Sequence, residues 1–132
     1  MVAFVATTNL ERAEAFYVGV LGLTVEEQSP FAVVLRGGGT QLRVTLVESF
    51  NPHPFTVLGW QVSGIEAVAR QLANAGVTFQ RYDGMQQDEL GVWRAPDGTK
   101  IMWFKDPDGN VLSLQDVTPG VGSHTTSGDL PA

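Results

Sequence analysis

The sequence predicts an α+β fold: two βαβββ modules whose curved, mostly antiparallel sheets enclose a small-molecule cavity. Three observations lead there. A helix-start box, Thr8-Asn9-Leu10-Glu11, is matched by a second, Ser63-Gly64-Ile65-Glu66. Each opens an amphipathic helical pattern that stops at a glycine, Gly22 or Gly76. Each is preceded by an apolar run and followed by several strand-like runs separated by turn residues.

The elements follow in order. Val2 to Thr7 reads as the first strand. In the box, the Thr oxygen is expected to accept a helix-start N–H while Glu11 reaches back. Leu10, Ala13, Tyr17 and Val20, with Phe16 beside them, then recur near a 3.6 period. Gly22 suits a left-handed helix end. Leu23-Thr24-Val25, 31-FAVVLRGGG-39 and 40-TQLRVTLVE-48 complete the first module over residues 1–48. The glycine run 37–39 lies between strands, so it is a hairpin and not a phosphate loop. Residues 49–54 form a joint. The second module, 55–116, repeats the order: strand Phe55 to Val62, the Ser63 box, Ile65, Val68, Leu72 and Ala75 on one helix face, Gly76, and strand Val77-Thr78-Phe79. The runs 90–98, 99–105 and 110–115 follow, the last two joined by the turn Asp106-Pro107-Asp108-Gly109. The tail, 117–132, is rich in Gly, Ser, Thr and Pro without periodicity, and is expected to drape loosely.

Short helices on one side of such strands are the α+β arrangement, and two facing concave sheets leave room for a small ligand. Charge narrows the partners. The chain of 132 residues has 8 basic and 14 acidic residues, a net charge of −6. That argues against nucleic acid, which needs a basic surface. The absence of Cys removes disulfides, thiolate nucleophiles and Cys metal ligands. The N-terminal apolar run has no basic flank and is too short for a signal peptide or membrane span, so the reading is a cytoplasmic protein with no membrane partner.

Asn9-Leu10-Glu11-Arg12-Ala13-Glu14-Ala15-Phe16-Tyr17, running to Val20-Leu21-Gly22-Leu23, resembles the opening of the vicinal oxygen chelate superfamily. Phe104-Lys105-Asp106-Pro107-Asp108-Gly109-Asn110 resembles its closing turn. The superfamily includes glyoxalase I, extradiol dioxygenases, fosfomycin-resistance enzymes and bleomycin-resistance proteins, and the resemblance covers residues 2 to 115. It implies paired βαβββ modules within a chain or across a dimer. In the enzymes it also implies a divalent metal held by His, Glu or Gln, one from the first strand and one from late in each module. Carried onto this sequence, the ligand positions fall on Val2, Arg43 or Thr45, Val57 and Ser113. Aliphatic side chains have no lone pair, a guanidinium is permanently cationic, and a lone Ser hydroxyl is a poor ligand. The usual metal site is therefore read as absent, and no cofactor is expected. A relocated site would have to use His53, since the other histidine, His124, lies in the tail; the scattered acids Glu26, Glu27, Glu48, Asp83 and Glu89 form no recognisable ligand spacing.

Strand alternation then lists what lines the cavity. Ser113 brings Val111 and Gln115 to its face. Val57 brings Gly59 and Gln61, while Trp60 points away towards a helix or a partner. On strand 99–105 the resemblance implies that Ile101, Trp103 and Lys105 face inward, with Met102 and Phe104 packed on the helix side. The candidate ligand-binding residues are Arg43, Gln61, Trp93, Trp103, Ser113 and Gln115. Trp103 would stack a planar or cationic ligand, and Arg43 would hold a carboxylate or phosphate as a fork. The structural alternatives are a Trp103 that fills vacated space, an Arg43 paired with a neighbouring acid, and polar groups that bond each other. Tyr82 and Trp93 lie on the irregular stretch 82–93, read as a loop over the pocket mouth.

With no Ser/His/Asp arrangement and no Cys, catalytic residues are unassigned. The residues favour a metal-independent protein that binds a small molecule, a drug or metabolite, over an enzyme. One alternative is a metal-dependent lyase or oxidoreductase of glyoxalase or dioxygenase type with a relocated metal. The other is an interaction module with a filled cavity. A homodimer is expected, with Trp60 or Trp93 exposed at its interface.

Overall fold

A computed structural model describes residues 1–117. The first sheet contains β1 (Val2–Thr7), β2 (Thr24–Gln28), β3 (Ala32–Gly37) and β4 (Thr40–Leu46), in the order β1-β4-β3-β2. The second contains β5 (Thr56–Gln61), β6 (Trp93–Arg94), β7 (Lys100–Lys105) and β8 (Val111–Asp116), in the order β5-β8-β7-β6. In each sheet the first strand lies parallel to the last and the rest are antiparallel. The helices α1 (Leu10–Glu14) and α2 (Ile65–Asn74) follow β1 and β5. Two βαβββ modules are therefore present. The expected loose draping of the tail, and His124 within it, lie outside the described residues.

The α1 helix begins one residue later than its box predicts. Asn9, not Thr8, is the N-cap, accepting from the Arg12 N–H at 3.0 Å. Thr8 instead hydrogen-bonds the Asp108 carboxylate of the second module. From Ala15 to Val20 the helix widens into π-type turns, with the Leu21 N–H reaching the Phe16 carbonyl. The wider turn lets Phe16, Tyr17 and Leu21 all enter the core. Val20, expected on that face, is only half-buried. Gly22 ends the helix at φ +80°.

Three further sequence expectations are corrected in the second module. Ser63 does not cap α2. Gly64 occupies the cap position, and Asp116 from β8 accepts from the Gly64 and Ile65 N–H groups, both at 3.0 Å. Residues 77–79 do not form a strand; only Phe79 bridges, to Phe104. The run 90–98 supplies only Trp93 and Arg94. These last two share a cause. The outer edge of β7 is divided: Trp93 and Arg94 pair with Ile101 and Lys100, while Gln80 N–H takes the Trp103 carbonyl at 2.8 Å.

One apolar core joins the modules. Tyr17, Leu21, Leu35 and Val44 from the first pack in the same cluster as Ile65, Met102, Phe104, Leu112 and Leu114 from the second. Phe16 lies 6.4 Å from Phe104 between ring centres, so an aromatic contact crosses the junction. Trp60, expected to face away from the cavity towards a helix or a partner, is buried in this core.

Candidate functional site

The strand register brings Gly59, Ser113 and Trp103 abreast on the second sheet, on β5, β8 and β7 in turn. The next row on the same face holds Gln61, Gln115, Ile101 and Trp93. Five candidates, Gln61, Trp93, Trp103, Ser113 and Gln115, therefore share one sheet face. Met102, Phe104, Leu112 and Leu114 take the opposite face and are inaccessible to solvent. Gly59 leaves space for its neighbour: a Cβ there would stand 2.7 Å from Ser113 Oγ.

Aromatic rings gather on this face. Trp103 meets Tyr82 edge-on at 5.4 Å and tilts against Trp93 at 6.4 Å, separations at which such pairs attract. Tyr82 was not among the candidates chosen from sequence. Its position depends on Gln87, whose side chain accepts from the Tyr82 N–H at 2.8 Å and donates to the Gln80 and Gly91 carbonyls at 3.0 and 2.8 Å. Asp88 holds the far end, accepting from the Leu90 and Val92 N–H groups, both at 2.9 Å. This stretch is ordered by side-chain-to-backbone bonds, which no hydrophobic periodicity announces.

Arg43 stands apart from the other five. It lies on β4 of the first sheet, in register with Phe4 on β1 and Val34 on β3. A cleft of about 240 Å³ collects Arg43 with Glu27, Gln28, Ser29, Ala32 and Val34, and no residue of the second sheet.

A second cleft, of about 360 Å³, runs between β1, the joint and β5, and includes Phe4, Thr45, Pro52, His53 and Val57. It was not anticipated, because it depends on the path of residues 49–54. His53 stacks on Phe55 at 4.8 Å with planes 14° apart. Among the described residues, no three His, Cys or acidic side chains come together so as to hold a metal ion.

The positions where related enzymes would carry ligands can now be located. Val2 is exposed at the start of β1 opposite Gln41; Arg43 and Thr45 are half-buried on β4. Val57 sits in an irregular step of the β5–β8 pairing, and Ser113 lies between Gly59 and Trp103. Their chemistry does not fit a divalent cation: two hydrocarbon side chains, a cation or a hydroxyl, and a second hydroxyl offer no carboxylate or imidazole.

Comparison with known proteins bears on the whole of this architecture. The family model for the glyoxalase/bleomycin resistance protein/dioxygenase superfamily matches residues 2–114. The chain belongs to that superfamily. Among solved members of this fold, a glyoxalase family protein from Bacillus anthracis is similar with TM-score 0.71 and 18% identity, covering 89% of this chain and 93% of that one. The fosfomycin resistance protein FosX from Listeria monocytogenes gives TM-score 0.72 at 12% identity, covering 90% and 93%. Lactoylglutathione lyase from Agrobacterium tumefaciens gives 0.66 at 18%, covering 88% and 91%. Identities this low establish the superfamily's fold and not its chemistry. No curated protein matches the sequence.

Proposed function

We propose that this superfamily member is a metal-independent small-molecule-binding protein whose ligand lies against Trp103 on the open face of the second sheet. One observation carries the reading. At Ser113, where related enzymes would place a metal ligand, there is a hydroxyl flanked by a glycine and an indole. The row suits contact with a planar group: Gly59 makes room for the Ser113 hydroxyl, Trp103 offers a surface, and Tyr82 and Trp93 its edges. Gln61, Ser113 and Gln115 provide polar handles of the kind that orient a ligand in an apolar site. The ligand is a drug or a metabolite, planar or cationic, since an aromatic cluster in an acidic protein attracts both.

The test has two parts. Metal content is measured by mass spectrometry after exposure to Mn, Fe, Co, Ni and Zn and desalting. Tryptophan fluorescence is then titrated with planar aromatic and cationic compounds in wild type and Trp103→Leu. The expected result is no retained metal and a saturable quench that Trp103→Leu abolishes. About one equivalent of metal, lost in His53→Ala, would instead support the lyase or oxidoreductase alternative. That alternative has its own observation, because His53 shares a cleft with Thr45 and Val57, two of the positions where enzymes carry ligands. No quench by any compound would favour an interaction module.

The homodimer and the cytoplasmic setting belong to the same proposal. Trp60 cannot serve the interface, being buried. Phe31 and Phe55, which are 71% and 59% exposed, replace it as apolar surface a partner copy would cover. A monomer by light scattering at micromolar concentration would rule the dimer out. No described helix is long and apolar enough to cross a membrane.

A further inference from the structure

We infer that Arg43 is the anchor of a separate site for a small organic oxyanion, a carboxylate or phosphate monoester carried on an apolar group. The inference goes beyond the aromatic face described above and does not depend on it.

All eight Lys and Arg residues of the chain lie within the described residues. Arg12, Arg36 and Lys100 pair with Asp108, Glu26 and Glu66. Arg81 donates to the Asp88 and Glu89 carbonyls. Arg70, Arg94 and Lys105 are exposed, where water suffices. Arg43 alone is half-buried and without a hydrogen-bonding or ionic partner among the described residues. Glu27 lines the same cleft but makes no ion pair with it. A guanidinium partly withdrawn from water and not directly ion-paired gains from an anion that can take its forked donors.

The surroundings define what that anion is attached to. Phe4 and Val34 flank Arg43 on the neighbouring strands, and Ala32 and Val34 are buried. Ser29, Gln28 and Thr45 lie near the same end of the face and offer further donors. A forked donor beside the small apolar surface of Ala32 and Val34 suits a carboxylate or phosphate on a compact hydrocarbon or aromatic body. At about 240 Å³ the cleft is below the size of sites that take drug-sized ligands, so a body of one ring is the upper limit.

The test uses the full chain, labelled with ¹⁵N, at constant ionic strength. The Arg43 Nε–H signal is followed during titration with benzoate, phenyl phosphate and, as the uncharged control, benzamide. The expected result is a saturable shift of Arg43 Nε–H and of the Phe4 and Val34 amides with benzoate or phenyl phosphate, and none with benzamide. Binding followed through those amides should weaken at least about tenfold in Arg43→Gln, with the remaining spectrum intact. An equal response to benzamide, a response reproduced by sodium chloride, no response to either anion, or unchanged affinity in Arg43→Gln would each overturn the assignment. The indole N–H signals of Trp93 and Trp103 report the aromatic face in the same spectra, so failure of one site is distinguished from failure of the other.

Discussion

Tyr17 donates its hydroxyl to Asp106 Oδ2 at 2.7 Å, so a helical residue of the first module is tied to the closing turn of the second. Both are buried. Asp106 also accepts from the Asn110 side chain at 2.8 Å and from the Asp108 and Asn110 N–H groups at 2.9 Å. Burial, and then the adjacent Asp106 charge, push the Tyr17 phenol far above its ordinary pKa and keep it a donor. Tyr17→Phe should therefore destabilise the fold by about 1–3 kcal/mol, the cost of leaving a buried carboxylate short of one donor. Urea unfolding measures it, and an unchanged midpoint would show the bond to be energetically idle.

Asp108 makes the second tie, taking bonds from Thr7, from Thr8 and from Arg12 at 2.6 Å. Burial alone would raise its pKa, but these bonds and the Arg12 charge together hold it below the usual range. The sign follows. A carboxylate whose folded pKa is depressed stabilises fully above its unfolded value of about 3.9, and loses that stabilisation as pH falls through the folded value. Unfolding midpoints taken between neutral pH and strong acid should fall more steeply in wild type than in Asp108→Asn. Parallel curves would contradict the tie.

Asp116 caps α2 from a distance in sequence that no local motif covers. Asp116→Ala should cost about 1 kcal/mol, as loss of a cap does, while Ser63→Ala should be close to neutral. The reverse order of effects would restore the local box.

Gly59 and Ser113 should be coupled. A methyl group at 59 would sit 2.7 Å from Ser113 Oγ, a contact relieved by rotation of one hydroxyl. Gly59→Ala is expected to cost about 1 kcal/mol, and Ser113→Ala should remove most of that cost in the double variant. Additive effects would mean that the two side chains do not compete for the same space. The same substitution should weaken ligand quenching of Trp103, because it displaces the Ser113 hydroxyl that lies beside the indole.

The sequence by itself determined the two-module order, the helix-terminating Gly22 and Gly76, and the alternation that puts Met102 and Phe104 in the core and Trp103 on the open face. These are local properties: a period of two or 3.6, a turn, a positive φ. It also determined which side chains stand at Val2, Val57 and Ser113, and hence their poor match to a metal.

Tertiary structure decided the rest. Thr8 reads as a cap, yet Asp108 recruits it across 100 positions. Ser63 reads as a cap, yet Asp116 takes the helix-start N–H groups of Gly64 and Ile65 from the adjacent strand. Arg43 and Trp103 appear in one list of pocket residues, but they stand on different sheets. In each case local chemistry offers several partners of similar strength, and the shared core, by fixing which elements are neighbours, selects one.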